Sequence, residues 1–454
     1  MTSVREQLVD QAQDPDAAFN QPAGVIRPLQ LLAAQELFEQ RIEQIPLVRR
    51  RADEAGVTKI TSFDQIVPLL FAHTVYKSYP QSFVDNGRWD RLLQWLGALS
   101  VDSTENVDIA GVSDLDGWVE RLHAAGHKVL VTSGTSGKCS LLNQSESDLK
   151  RKTRHFRHVT GWPYAVPNND REYFFLGPIR GRNSAIEAAQ IGGINWAKAD
   201  GVHALTDEPL KISDISRAAT FRKRMAEGIA TPQEITRFEA EANRKAQENQ
   251  ARLKELARSI FAHRHEPIFV LGLWAQYMMI LDLAHAQGIP DGDFHPQAII
   301  KAGGGVKGVA LPADYKDRVA RFVGNVYRPA NYGMTEMASL TARCEAGRYH
   351  ATPGLIMLVL DSAGERLLLP KDGRDGLVEG RFGFLDLLLD GRWGGVITGD
   401  KVTLDTNERC PCGRFGPTLL DNISRYAQIG EEDHIGCAGT IDSYVRGAIG
   451  VVAD

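Results

Sequence analysis

The chain has 454 residues, 43% of them hydrophobic and 24% charged, with a net charge of −5. This is ordinary globular composition, with room for several compact units of ~150 residues each, and the acidic balance argues against nucleic acid as the main partner. No run reaches the ~18 apolar residues of a membrane span, and the polar N-terminus lacks a signal peptide's apolar core, so a cytoplasmic protein with no membrane partner is expected.

Residues 1–60 alternate helical periodicity with breaks at Pro22, Pro28 and Pro46 and read as a helical lead-in. Tyr76-Lys77-Ser78-Tyr79-Pro80 precedes a mostly helical stretch over 81–99, and 113–125 has a helix's apolar spacing. A buried strand over 127–132 then empties into Thr132-Ser133-Gly134-Thr135-Ser136-Gly137-Lys138. Glycines let backbone approach a ligand, amides and hydroxyls donate to anionic oxygens, and the lysine adds charge, so this turn is suited to phosphate. It is not the common nucleotide loop, which needs glycine where this chain has Thr132.

Strand-like runs recur at 172–176, 267–271, 297–301 and 324–328 with helical segments between them, the alternation of an α/β fold. Thr231-Pro232-Gln233-Glu234 has the pattern of a helix start, opening a long charged helix to about Ala262 whose surface reads as solvated. The basic stretch 150–158 reads as a solvated helix face as well. From Pro353 onward short β-runs at 355–360, 379–390 and 395–398 suggest a separate β-rich unit. The expected organisation is a lead-in over 1–60, an α/β core over 61–350 and a β-rich subdomain over 351–454.

Three further stretches carry chemistry. Gly303-Gly304-Gly305 follows a strand, where open α/β sheets bind ligands. Asn331-Tyr332-Gly333-Met334-Thr335-Glu336 offers an aromatic face, a hydroxyl and a carboxylate, groups suited to a base, a phosphate and Mg²⁺. Thr398-Gly399-Asp400 is expected to end a β-run with a carboxylate able to take two ribose hydroxyls. Separately, Cys344, His350, Cys410 and Cys412 can complete a tetrahedral zinc shell if the chain brings the two pairs together.

In the order and approximate spacing of these motifs, the chain resembles the acyl- and aryl-adenylate-forming superfamily. That family's loop Thr-Ser-Gly-Thr-Thr-Gly-x-Pro-Lys is similar to residues 132–140, its Tyr-Gly-x-Thr-Glu to Tyr332, Gly333, Thr335 and Glu336, and its Thr-Gly-Asp to residues 398–400. Residues 76–80, 135–138 and 303–308 are similar to luminescence acyl-protein synthetases. Cys410-Pro411-Cys412-Gly413-Arg414 looks like the phenylacetate-CoA ligase branch, where some members carry structural zinc.

The resemblance implies a large α/β domain followed by a smaller β-rich subdomain. It also implies ATP- and Mg²⁺-dependent activation of a small carboxylic acid, with transfer to CoA, an acyl carrier protein or another thiol or amine. Residues Thr132 to Lys138 would hold the β- and γ-phosphates. Gly303, Gly304, Gly305 and Tyr332 would flank adenine, with Asn331 and Gly333 also binding the nucleotide, Thr335 by the α-phosphate, Glu336 on Mg²⁺ and Asp400 on ribose. Near the C-terminus, a Gly436-Cys437 pair resembles an acyl-accepting cysteine, with His434 beside it.

The departures from the family are equally specific. The loop ends in Cys139-Ser140 in place of Pro-Lys, so Lys138 is its cation. Arg180 stands where many members place an aromatic gate, and it could balance a substrate carboxylate. The hinge Gly-Arg-x-Asp is approached by Gly439-Thr440-Ile441-Asp442, leaving Arg414 or Arg425 to contact ribose. Seven residues follow Gly447, so the family's mobile C-terminal lid is expected to be missing. These departures keep a second reading open, that of an inactive relative serving as a nucleotide-binding partner subunit.

Overall fold

The computed structural model describes residues 2–132, 138–303 and 310–428. Those residues are mixed α/β and form two compact units. One comprises Met1–Thr132, Lys138–Pro163 and Asn331–Asp454; the other is built on Tyr164–Ala330. The division therefore falls at 163/164 and 330/331, not at 60 and 350, because the N-terminal helices and the C-terminal strands share one unit.

The second unit is a parallel sheet in the order Ala197–Thr206, Arg171–Pro178, Ile268–Leu273, Ile299–Gly303. Successive side chains of a strand point to opposite faces, and here both faces are covered. Phe174, Leu176, Ile268, Val270 and Ile300 join one core with Leu253, Leu256, Ala257 and Ile260 of the helix Pro232–Ala262. Tyr173, Phe175, Phe269 and Ile299 join a second with Ala189 and Trp196 of the helix Ser184–Trp196. Double burial explains why the central strands read as continuous apolar runs.

The long helix begins as its sequence requires. Glu234 N–H donates to Thr231 Oγ1 at 3.3 Å and Thr231 N–H to Glu234 Oε2 at 2.8 Å, with Pro232 in the first turn. Its first two-thirds is exposed, and its buried residues begin at Leu253. The strand expected at 324–328 is reduced to a single bridge, Ile299 to Tyr327.

The first unit is organised on a nine-stranded sheet whose longest strands are Leu377–Asp386 and Gly395–Asp405. The N-terminal helices are tied to it by buried polar contacts. Arg5 Nε donates to Leu387 O at 3.0 Å and Arg5 Nη2 to Leu389 O at 2.9 Å, and Gln30 Nε2 donates to Pro353 O at 3.0 Å. Asp390 collects Arg5 at 2.6 Å, Arg41 at 3.2 Å and Arg151 at 2.6 Å. Removing one member of such a buried set costs ~3–5 kcal/mol, because the remaining charges lose their compensation.

The half-buried Arg151 belongs to the helix Glu146–Val159, in which Lys152 and His155 are buried, so the basic stretch packs inward as well as facing solvent. Thr398 and Asp400 lie within the strand Gly395–Asp405, not at its end. Asp400 there pairs across to Arg425 of the short strand Ser424–Arg425. No helix among the described residues is long and apolar enough to cross a membrane.

Candidate active site and thiol cluster

Two paired strands flank the phosphate-suited loop. Leu130 and Val131 pair antiparallel with Leu142 and Leu141, and the pairing is extended as Ser140 N–H donates to Thr132 Oγ1 and Thr132 N–H to Ser140 O, both at 3.1 Å. Beyond the turn, Tyr79 OH donates to Cys139 O at 2.8 Å, and Lys138 Nζ lies 5.1 Å from the centroid of the Tyr79 ring. Burial raises the Tyr79 hydroxyl's pKa well above its ordinary value, which keeps it a donor. The buried Tyr79 thus fixes the loop's exit and lends a π face to its cation. Ser133, Gly134, Thr135, Ser136 and Gly137 lie outside the described residues, as do Gly304, Gly305, His434 and Cys437.

Asn331 and Tyr332 form a short strand against Thr341 and Ala342. Thr341 Oγ1 donates to Tyr332 O at 3.0 Å, and Asn331 Nδ2 to Thr341 O at 3.1 Å. Gly333, Thr335 and Glu336 follow in the loop that this pairing closes. Its far end is anchored by Asp386, fully buried, whose carboxylate accepts Ala338 N–H at 2.7 Å, Ser339 N–H at 2.8 Å, Ser339 Oγ at 2.9 Å and Leu388 N–H at 3.0 Å. His155 Nε2 accepts Leu340 N–H at 2.9 Å. Nδ1 is then the protonated nitrogen, 3.3 Å from Ala12 O, and burial holds the ring neutral.

Tyr332 OH donates to Asp400 Oδ2 at 2.8 Å, and Arg425 Nε to Asp400 Oδ1 at 3.2 Å. A carboxylate offers about four lone-pair sites, so this pair leaves Asp400 capacity for two more donors, the number a ribose diol brings. Glu336 is half-buried. Burial raises its pKa above the usual carboxylate range, opposed by the positive charges of Arg392, Lys77 and Arg425. Arg392, 1% exposed, donates from Nη2 to Glu336 O at 3.1 Å and from Nη1 to Asn143 O at 2.7 Å, and lies 5.8 Å from the Tyr76 ring centroid. Of these supports, Tyr76, Lys77 and Tyr79 carried a signal in the sequence through the 76–80 motif, and Arg425 as a candidate ribose contact. Asp386 and Arg392 had none.

Arg180 is exposed just beyond the strand Arg171–Pro178, and Gly303 ends the strand Ile299–Gly303; both belong to the second unit. Arg414 lies away from Asp400. Its Nη1 donates to Glu345 Oε1 at 2.8 Å and Oε2 at 2.9 Å, and its guanidinium stacks 4.7 Å from the Trp162 ring centroid.

Arg414 adjoins a second cluster. Cys344, His350, Cys410 and Cys412 place their ligand atoms within 4.8 Å of one another, a possible metal site. Antiparallel pairing of Thr341–Arg343 with Tyr349–His350 brings the first two together, and the Cys410–Gly413 turn presents the others. Cys344 Sγ is 3.8 Å from Cys410 Sγ, and Cys412 Sγ is 3.5 Å from His350 Nε2. Tetrahedral bonds of ~2.3 Å to sulfur and ~2.05 Å to nitrogen put such edges at about 3.8 and about 3.6 Å. Burial lowers the pKa of His350 to about 4, leaving the neutral imidazole a ligand requires. The Cys412 thiol is opposed by burial, yet hydrogen bonds from Arg414 hold it below its ordinary value.

Known structures share this architecture. The 2-hydroxyisobutyryl-CoA ligase in its postadenylation state, bound to R3-HIB-AMP, aligns with a TM-score of 0.53 at 12% identity, over 90% of this chain and 69% of that one. The chain has the fold of the acyl-adenylate-forming enzymes. An open conformation of the same ligase with 2-HIB-AMP and CoA also aligns at 0.53, at 13% identity, over 90% of this chain and 72% of that one. No protein-family model matches the chain, and no curated protein matches it in sequence. The adenylate-forming fold is thus held here by a sequence far from those relatives.

Proposed function

We propose that the protein is an ATP-dependent ligase that activates an organic carboxylic acid as its acyl-adenylate and transfers the acyl group to a thiol or amine, such as CoA or a carrier protein. The observation that carries this reading is Tyr332 and Arg425 holding Asp400 while Glu336 stands four residues past Tyr332, within an adenylate-forming fold. In the first step the substrate carboxylate attacks the α-phosphorus and pyrophosphate leaves; in the second the acceptor displaces AMP. The first step spreads negative charge over phosphate oxygens, so positioned donors and cations stabilise it without proton transfer by the protein; in the second the thiol or amine attacks the acyl carbonyl, AMP leaves and the acceptor's proton passes to solvent.

In this reading Asp400 takes the ribose hydroxyls, Tyr332 covers adenine and Thr335 meets the α-phosphate. Lys138 and the loop it closes draw charge toward the leaving pyrophosphate. Glu336 holds Mg²⁺, which when bound supplies Lewis-acid stabilisation to the phosphate oxygens. The four-ligand cluster holds a structural zinc ion: three thiols and one imidazole complete a tetrahedral shell and leave no open position for catalysis.

Carboxylate-dependent exchange of labelled pyrophosphate into ATP, run over a broad panel of acids, tests the activity. Exchange with at least one acid is expected. Nucleotide binding without exchange for any acid would contradict the ligase and leave the inactive-relative reading in its place.

A further inference from the structure

The first unit contains a cavity of about 320 Å³ that shares no residue with the Asp400 cluster. This volume is at the small end of ligand pockets. Ile26, Met357, Val359, Leu367 and Phe415 give it apolar walls, and His350 of the thiol cluster forms part of its lining. An apolar cavity alone specifies no ligand; two polar groups in its wall do.

The first is Arg27. Its guanidinium stacks 3.7 Å from the Phe63 ring centroid, and among the described residues no carboxylate pairs with it. It is half-buried, and burial lowers its pKa to about 10, so it remains charged at neutral pH in a place that disfavours charge. Elsewhere in the unit Arg5, Arg41 and Arg151 meet Asp390 and Arg414 meets Glu345, while the buried Arg381 and Arg392 donate to backbone carbonyls. The second is Thr352. It is 1% exposed, lines the cavity, and its hydroxyl oxygen has no hydrogen-bond partner among the described residues. A buried polar group left without a partner costs ~1–3 kcal/mol, so both groups favour an incoming partner. Of the two side-chain amides in the wall, Gln21 and Gln30, the buried Gln30 is already committed to Pro353 O and Leu355 O.

We infer that this cavity binds an apolar monocarboxylate of the medium-chain fatty acid class, its carboxylate on Arg27 and Thr352 and its hydrocarbon chain along the walls. One planar guanidinium matches one carboxylate in charge and shape. The apolar walls exclude a ligand that is polar throughout.

Calorimetric titration of the full chain with octanoate tests the inference. Saturable binding is expected, with octan-1-ol at least about tenfold weaker, because it lacks the charge that Arg27 selects. Arg27→Gln should weaken octanoate by about tenfold or more, Arg27→Lys should recover part of the loss, and Thr352→Val should weaken it severalfold. Melting temperatures show whether each variant is folded; if Arg27→Gln is not, Arg27→Lys and Thr352→Val carry the test. Asp400→Ala should leave octanoate affinity unchanged, which separates this site from an acid bound beside nucleotide. Absence of saturable binding would overturn the inference. So would binding insensitive to Arg27→Gln in a folded protein, or binding lost with Asp400→Ala alone.

Discussion

Asp386 and Asp400 lie on neighbouring strands of one sheet and hold opposite kinds of hydrogen-bond shell. Asp386 is fully buried and accepts three backbone N–H groups and a hydroxyl, all from residues near it in the fold. Asp400 takes one bond from Tyr332 and one from Arg425, whose own side chain is 55% exposed. A carboxylate whose capacity is filled by backbone is fixed and fixes its loop, whereas one half-filled by side chains can exchange partners for a ligand. The thiol cluster and the Asp390 cluster fall with Asp386 as closed sets. Glu336, held by surrounding charge and with burial raising its pKa, falls with Asp400.

If this division is right, changes in open clusters abolish chemistry and spare the fold, and changes in closed ones do the reverse. The largest expected effect is on Glu336. Glu336→Gln should lower pyrophosphate exchange by about 10²–10³-fold, the scale of losing one electrostatic stabiliser, with the melting temperature nearly unchanged. Cys410→Ser should cost about 3 kcal/mol in stability and release one equivalent of zinc by metal analysis, with nucleotide binding retained below the melting point. A protein that loses zinc without losing stability would break the assignment of that cluster to structure.

Asp390 gives a closed cluster with a pH signature. Burial alone would raise its pKa, but Arg5, Ser147 and Arg151 outweigh this and hold it at about 2. A carboxylate with a depressed folded pKa stabilises fully above its unfolded value of about 3.9 and loses that contribution as pH falls toward about 2. Stability measured by denaturant between pH 5 and 2 should therefore drop by on the order of 2 kcal/mol through this group, and Asp390→Asn should remove that part of the slope. Arg425→Gln is the smallest effect, about a tenfold loss of exchange, since Tyr332 still holds Asp400.

Much of this was legible because the relevant signals are local. A capping pattern at Thr231 announced its helix, apolar runs announced the buried parallel strands, and Cys-x-Cys announced a turn presenting two thiols. What escaped reading was set by distant partners. The strand Ala197–Thr206 alternates alanine with lysine, aspartate and glycine because it is the sheet's edge and only partly buried, so its sequence shows no apolar run. Asp400 looked like the end of a strand because Gly399 and the charged residues beyond it resemble a turn; pairing with residues 377–381 and 424–425 extends the strand through them. The union of the N-terminal helices with the C-terminal sheet rests on contacts such as Arg5 to Leu389, which no local pattern encodes.

The measurement that bears most directly on the difference between these clusters is acid-dependent pyrophosphate exchange by Asp400→Asn, taken with its melting temperature against the unsubstituted protein. The account predicts exchange reduced by at least about 10²-fold with the fold intact. Exchange retained at the original rate, or lost only in step with unfolding, would contradict it.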